Sequence, residues 1–309
     1  MKKSFLMACM LFGCAIAMFA QVTDAEKTLK AVSTDSIEGW KYGSVVGINF
    51  SQTELINWSA GGQSSVAFNG IFSAFANYKK NKNSWENTLD IGYGMLKQGK
   101  EKGDLWMKTD DKLDFSSKYG RKAFADFYYA ALLNFKTQFA KGYNYPDTTK
   151  AISNFFAPAY LTGALGLSYQ PTTYFSAFLA PATGRMTFVN DITLSESFGL
   201  KAGETSKTEF GGYARISFSR NNFKTEWLKN VALTTKLDLF SNYLKNPQFV
   251  DVSWETLIAF KVNKYISVNF NTHLLYDEDI KMKKEDGTLE DKAKVQFKEI
   301  LGVGFSCKF

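Results

Sequence analysis

The chain has 309 residues and a mass of 34.7 kDa, with 45% hydrophobic, 16% aromatic and 22% charged residues and a formal net charge of +7. This composition is too apolar and too aromatic for a disordered or collagen-like protein. The mean hydropathy is −0.21 and no long apolar run follows residue 20, which excludes a bundle of membrane-spanning helices.

The first 20 residues have the pattern of a secretory signal peptide. Lysines at positions 2 and 3 precede an apolar stretch that ends at Ala20, and polar residues follow. We expect residues 1–20 to be cleaved, which leaves residues 21–40 as a periplasmic N-terminal segment. The alternative, lipidation of Cys14, is disfavoured because the apolar run continues past this residue.

From about residue 41 to the end, apolar and polar residues alternate with period two, which is typical of strands with one apolar face. The clearest example is 250–262, where Val252 and Trp254 share one face and Ser253 and Glu255 share the other. Pro181 makes the seventh predicted strand the weakest. The pattern predicts twelve strands, near 42–51, 65–78, 84–97, 107–119, 124–139, 159–170, 174–182, 207–219, 230–242, 250–262, 266–276 and 296–309.

The links between these strands alternate between long and short, with the link at 220–229 as the one exception. In an up-and-down meander, alternate links lie at the same end, so one end carries extended loops and the other carries tight turns and both chain termini. The sequence therefore predicts an all-β, antiparallel up-and-down transmembrane β-barrel of about twelve strands over residues 41–309. The long links are predicted at 52–64, 98–106, 140–158, 183–206, 243–249 and 278–294, and the short links at 79–83, 120–122, 171–173 and 263–264.

A secreted sandwich or a lipocalin-like barrel is the alternative, because its strands alternate too, with the apolar face turned to a core. The predicted strands of about ten to fourteen residues are long enough to span a bilayer, for which ~9–11 residues are needed. Aromatic residues also lie near strand ends, as in the interfacial girdles of membrane barrels, for example Tyr78, Trp85 and Tyr276. We therefore predict localisation in the cell outer membrane, in contact with outer-membrane lipid.

Several segments are more distinctive than simple alternation. Through them the chain resembles domain-of-unknown-function family 3078 over roughly residues 40–280. The resemblance implies a bacterial outer-membrane β-barrel and no established activity, so it provides no catalytic residue. Phe309, which closes the last strand, resembles the assembly signal of such barrels and implies the barrel assembly machinery as a partner. The segments are NFSQTELINWSAGGQSSVAFNG, FANYKKNKNSWENTLDIGYGMLKQG, ALLNFKTQFAKGYNYP, ISNFFAPAYLTGALG, TKLDLFSNYLKNP and SWETLIAFKVNKYISVNFNTHLLYDEDI.

If the apolar face meets lipid, the polar face lines a lumen. Its charged residues are nearly balanced in sign, so they are expected to pair across strands and fill a narrow interior with ion pairs and water. The long links 140–158 and 183–206 are candidates to fold inward as constrictions. The predicted lumen-lining residues are Glu86, Asp90, Asp110, Lys112, Asp114, Lys136, Arg215, Lys236, Asp238, Glu255, Lys261 and His273, and Lys118, Glu209, Asp251, Lys298 and Lys308 follow the same alternation.

A tight turn at 263–265 predicts a register that sets Glu255 opposite His273 and Asp251 opposite Asp277. His273 oriented by Glu255 is a candidate general base, but a lone histidine in a polar lumen is more often a hydrogen-bonded member of a network. Lipid-cleaving barrels need Ser and His on the lipid-facing surface, and His273 is on the opposite face. Asp251 and Asp277 are a candidate site for a divalent cation, with a solvated acidic rim as the alternative.

No catalytic motif or metal-ligand cluster accompanies these residues, so we predict no enzyme and no cofactor. Basic residues are interleaved with acidic ones, which argues against nucleic-acid binding. The predicted function is a narrow channel or porin-like passage for small polar solutes. The first alternative is a non-conducting structural or interaction barrel with an envelope protein as its partner, and the second is a membrane-embedded hydrolase.

Overall fold

The computed structural model describes residues 38–55, 63–99, 105–221, 223–262, 266–281 and 288–305. The predicted signal peptide, residues 21–37 of the N-terminal segment, the predicted turn at 263–264, Lys308 and Phe309 lie outside the described residues. Some side chains within the strands are not described either, and that of Lys261 is one of them.

Twelve long strands form one antiparallel sheet in which each strand pairs with the next long strand along the chain. This confirms the predicted all-β, up-and-down order, and a separate small hairpin adds two short strands. Among the described residues, no helix is long and apolar enough to cross a bilayer. The sheet contains β1 (Gly39–Thr53), β2 (Ser65–Lys80), β3 (Asn83–Gln98), β4 (Trp106–Phe124), β5 (Phe127–Thr137), β8 (Ala159–Tyr169), β9 (Phe175–Phe188), β10 (Ser206–Arg220), β11 (Val231–Asn242), β12 (Asp251–Lys261), β13 (Ile266–Tyr276) and β14 (Gln296–Phe305); the hairpin is β6 (Gly142–Tyr143) with β7 (Ala151–Ser153).

The links lie at two distinct ends of the sheet. We call the end with short links the turn end; its described links and flanking residues are 38, 79–83, 121–127, 170–174, 220–221 and 223–230. The other is the loop end, where the links between β5 and β8 and between β9 and β10 contain ordered structure. The β9–β10 link has two 3-10 turns, Ile192–Leu194 and Glu196–Phe198, and a third, Glu226–Leu228, lies at the turn end.

The tight turn predicted at 120–122 is wrong. β4 continues to Phe124, and the chain reverses at Ala125 and Asp126, where Ala125 has a φ of 43°. Arg121 still pairs with both neighbours, opposite Asn83 on β3 and Tyr129 on β5, and the pairing with β5 continues to Phe124. The ladders on both sides keep the strand extended beyond Gly120.

The predicted strand 174–182 is too short, because β9 runs through Pro181 to Phe188. The register shifts beside the proline on both sides, at Leu165/Leu167 of β8 and at Gly211/Tyr213 of β10. A proline has no N–H for the ladder, and a bulge is where a sheet tolerates it. The long link therefore begins after Phe188, and residues 183–188 belong to the sheet.

The buried core lies on the same face as the predicted lumen residues, beneath β5, β8, β9, β10 and β11. On β5, Leu132 shares its face with Asn134 and Lys136, and on β11, Phe240 shares its face with Lys236 and Asp238, as the two-residue period of a strand requires. The interior on this side is thus filled partly by apolar side chains. The cluster contains Ala130, Leu132, Ala164, Phe178, Ala180, Tyr213 and Phe240.

Candidate functional site

Charged side chains on the inner face pair across neighbouring strands. Lys118 on β4 contacts Glu86 on β3 at 2.8 Å. Arg215 on β10 lies opposite Asp238 on β11 and donates two hydrogen bonds to its carboxylate, of 2.6 and 3.1 Å. Directly opposite residues on a pleated sheet are close enough for such contacts. The strand register thus sets opposite charges beside each other.

Other pairs join strands that are far apart in the sheet order. Lys112 on β4 contacts Glu255 on β12 at 3.5 Å, and Asp110 on β4 contacts Lys298 on β14 at 3.1 Å. Such contacts require the sheet to curl until its inner face meets itself across an interior. Lys236 extends the same network, reaching Glu255 at 3.3 Å and Asp114 at 3.9 Å. We call this set the inner network: Glu86, Asp110, Lys112, Asp114, Lys118, Lys136, Arg215, Lys236, Asp238, Glu255 and Lys298.

The inner network is buried around Asp114 and Asp238 and exposed to solvent around Lys112 and Lys298. The side chains of Asp114 and Asp238 are 6% and 10% exposed, and Lys136 lies between them at 3.7 and 3.9 Å. Tyr213 adds a 2.7 Å hydrogen bond from its hydroxyl to Asp238. By contrast, the side chains of Lys112 and Lys298 are 42% and 46% exposed. Water therefore reaches the interior near β4, β12 and β14.

The remaining predicted lumen residues have different surroundings. His273 lies opposite Glu255, as predicted, and its Nε2 is 3.0 Å from the Ser253 hydroxyl. The Glu255 carboxylate is shared by two lysines of the inner network, which makes His273 a polar neighbour of that network. Asp90 lies opposite Asp114 in the β3–β4 register. Lys261 ends β12, and its side chain is not described.

Arg185 on β9 organises the acidic residues near the loop end. Its guanidinium contacts Glu209 at 2.9 Å, Asp251 at 2.7 Å and Asp277 at 3.6 Å, and it stacks 4.2 Å from the ring centroid of Phe240. The structure thus brings Asp251 and Asp277 together, as the predicted register requires, but the positive charge between them belongs to the chain itself. Among the described residues, no group of three or more His, Cys, Asp or Glu side chains has a geometry that would hold a metal ion.

Arg185 was missed as a site residue because the predicted strand 174–182 ended before it. A signal was present: Thr183, Arg185 and Thr187 continue the two-residue alternation past the proline. The structure places all three within β9.

Two long links fold into a compact unit at the loop end, which we call the cap and define as residues 140–158 and 189–205. The backbone N–H of Asn190 donates to the Phe156 carbonyl at 2.9 Å, which joins the two links. The cap has its own apolar core, in which Ala157, Val189 and Leu194 are fully buried. Ordered backbone bonds and a buried core distinguish it from a solvated loop.

The cap is fastened to the link that follows β13, three strands further around the sheet from β10. The Lys281 N–H donates to the Ser197 carbonyl at 3.2 Å. Asp279 accepts from Lys207 at 2.7 Å and from Lys245 at 2.9 Å. Burial raises the pKa of Asp279, but hydrogen bonds and charge from these two lysines outweigh it and hold that pKa below its usual range. The hydrogen bond to Asp279 raises the pKa of Lys245.

A small cleft, open to solvent, lies beside this contact at the loop end. Acidic side chains and amides dominate its lining, and Phe249 contributes the aromatic surface. Of the acidic residues, Glu209 and Asp251 are bound to Arg185, and Asp279 is bound to the two lysines. The lining residues are Glu209, Asn242, Lys245, Asn246, Phe249, Asp251, Glu278 and Asp279.

The outer face of the sheet is apolar and exposed. Leu165 on β8 and Leu179 on β9 are 61% and 65% exposed, and Leu133, Phe210 and Trp254 are also exposed. Aromatic side chains cluster on this face at the turn end, where Trp40 lies 5.3 Å from Tyr78 and 5.7 Å from Trp85 between ring centroids. The arrangement of apolar residues outside and charged residues inside is the reverse of that in a water-soluble domain.

Residues 50–143 match the family described as Protein of unknown function (DUF3078). The match confirms the family resemblance over the segment from the end of β1 to β6, and the family description assigns no activity. No curated protein matches the chain.

Proposed function

We propose that this chain is an exported bacterial protein that spans the outer membrane as a β-barrel. The exposed apolar outer face supports this proposal, because a monomer in water rarely exposes so continuous an apolar surface. The polar inner face and the alternating short and long links are typical of outer-membrane barrels. Every strand of the large sheet has ten or more residues, enough for a tilted strand to span a bilayer.

Within that architecture, the geometry best fits a non-conducting barrel that serves a structural or interaction role in the envelope. The observation that carries this conclusion is the filling of one side of the interior: Asp114 and Asp238 are almost fully buried by paired cations, and Tyr213, which bonds Asp238, belongs to the apolar cluster on the same face. A buried ion pair resists disruption, because removing one partner leaves an uncompensated charge. We propose no enzymatic activity, since the Glu255 carboxylate beside His273 is bound to Lys112 and Lys236.

A narrow passage for small polar solutes is the second candidate. It is favoured by the exposure of Lys112 and Lys298 on the wet side of the interior, where a path for water would run between β4 and β14. Such a path would be lined by both signs of charge and would select weakly between anions and cations.

The test begins with the full chain purified from outer membranes. If the protein is a stable barrel, its electrophoretic mobility should differ between heated and unheated samples. The protein is then inserted into planar bilayers. We expect no reproducible conductance steps. Reproducible steps whose size changes in Lys112→Gln but not in Lys150→Gln, an exposed loop-end control, would reject the non-conducting barrel in favour of the passage. A chain that stays in the aqueous phase and never inserts would overturn the barrel itself.

A further inference from the structure

The turn end has a strongly basic, aromatic surface that the proposed structural role does not use. Its described residues include eight basic side chains against three acidic ones, a net charge of +5. Seven of the eight basic residues are exposed, and Arg220 is half-buried. The basic residues are Lys79, Lys80, Lys82, Arg121, Lys122, Arg220, Lys224 and Lys229, and the acidic residues are Glu38, Asp126 and Glu226.

Arg220 contacts two aromatic rings of this surface. Its guanidinium lies 4.8 Å from the ring centroid of Tyr174 and 5.2 Å from that of Phe223. Its Nε atom is buried and has no hydrogen-bond partner within the described part of the chain. A guanidinium held between two rings presents its remaining N–H donors in a fixed fork, a geometry that suits two parallel hydrogen bonds to an oxyanion such as phosphate.

Exposed aromatic side chains surround these cations. Trp227 is 77% exposed in the same link as Arg220, and Phe124 is 60% exposed beside Arg121 and Lys122. Trp and Tyr prefer the headgroup level of a membrane, where one end of the ring is apolar and the other wet. Basic residues beside that level attract anionic lipids. The combination fits a lipid headgroup better than a free anion, because a free anion would gain nothing from the exposed rings.

We infer that the turn end binds the phosphate groups of anionic phospholipids in the membrane leaflet that it faces, with Arg220 as the central contact. This inference rests on the proposed membrane barrel. It adds a ligand class and a site, because a barrel needs only apolar contact with lipid tails to stay inserted. The inserted protein selects anionic over zwitterionic lipid at this end, and the loop end does not.

The experiment uses the full chain in two preparations of phosphatidylcholine nanodiscs. One contains a small fraction of brominated phosphatidylglycerol, and the other contains the same fraction of brominated phosphatidylcholine. Bromine quenches tryptophan fluorescence at short range, so the ratio of the two quenching efficiencies measures selectivity. We expect a ratio well above one in the unmodified protein. Arg220→Gln should reduce the selectivity about fivefold, the contribution of one cation near a membrane surface. Lys79→Gln, Lys80→Gln and Lys82→Gln together should reduce it further.

The matched control is Lys141→Gln, Lys150→Gln and Lys201→Gln together, three exposed lysines of the cap, which should leave the ratio unchanged. A ratio of one in the inserted, unmodified protein, or equal losses in turn-end and cap variants, would overturn the lipid site alone. Loss of selectivity on adding inorganic phosphate at constant ionic strength would assign the site to a soluble anion instead. Failure to enter nanodiscs or to show heat-dependent mobility would overturn the barrel and the lipid site together.

Discussion

Replacing Asp279 by Asn should loosen the link that follows β13 and so weaken its hydrogen bond to the cap, which runs from the Lys281 N–H to the Ser197 carbonyl. The Asp279 carboxylate holds Lys207 of β10 and Lys245 of the β11–β12 link, so it joins three segments at the loop end. The side chains of Asp279 and Lys207 are only 19% and 16% exposed. A charged hydrogen bond in such surroundings contributes about 1.5–3 kcal/mol. The Lys245 side chain is 61% exposed, and its contact adds about 0.2–1 kcal/mol.

Asn keeps the size of the side chain and loses its charge, so most of this energy is lost and about 2–3 kcal/mol is the expected effect on cap attachment. With about 1.4 kcal/mol per factor of ten, the detached state should become about 30- to 150-fold more populated. The inner network lies outside this contact, so the free energy of global unfolding should change much less than the free energy of cap opening.

Amide hydrogen exchange in the inserted protein measures the opening directly. The informative amides are those of Lys281, which donates to Ser197, and Leu200, which donates to Ser195 within the cap. Both should exchange faster in Asp279→Asn. The control is Asp147→Asn, because the Asp147 carboxylate accepts from Thr149 in its own exposed link. Unchanged exchange at both amides, or an equal increase in the control, would refute the assignment of Asp279 as the fastening residue.

Three further predictions concern the interior, the sheet and pH. Asp238→Asn should lower the free energy of unfolding by about 3–5 kcal/mol in urea titrations, because it leaves the buried Arg215 without a countercharge; a loss below 1 kcal/mol would contradict a closed interior. Gly166→Ala should lower the free energy of unfolding by about 1–3 kcal/mol in the same titration, because the new Cβ would lie 2.0 Å from the Leu179 carbonyl oxygen. Gly163→Ala is the control on the same strand and should lower it far less, because no atom lies within 4 Å of its Cβ position. Cap protection against hydrogen exchange should be fully present above about pH 4 and fall as the pH drops through the lowered pKa of Asp279, and protection that rises on acidification would reverse this sign.

The strands and their faces could be predicted from the sequence because the pleat is a local property. Two-residue alternation set twelve strands in the right order, and the short turn after β12 predicted that Glu255 faces His273. Partners across the interior, such as Asp110 and Lys298, could not be predicted, because they depend on how far the whole sheet curls. The end of β4 was misjudged because Gly120 was interpreted as a turn residue. In the structure, hydrogen-bonded pairing with both neighbouring strands keeps the backbone extended at this glycine.

The acidic pair Asp251 and Asp277 shows a second limit of local reasoning. The two carboxylates were identified from neighbouring strands, but the charge between them comes from Arg185, far away in sequence. Burial raises the pKa of Asp277 above its usual range, although the nearby Arg185 guanidinium acts in the opposite direction. A pattern of acidic residues in one part of a chain thus predicts that a positive charge lies nearby, but it does not predict whether an ion or a distant residue of the chain supplies that charge.

The contacts across the interior also set an order of events during folding. Asp110 and Lys298 are 188 residues apart, and Lys112 and Glu255 are 143 apart, so neither pair forms until the last strands have come round to β4. Contacts of such long sequence separation are gained late, because the entropy of closing the loop is lost before the contact forms. Until then the inner charges remain hydrated, and an open sheet with a water-filled concave side is the state that any assembly factor would have to hold.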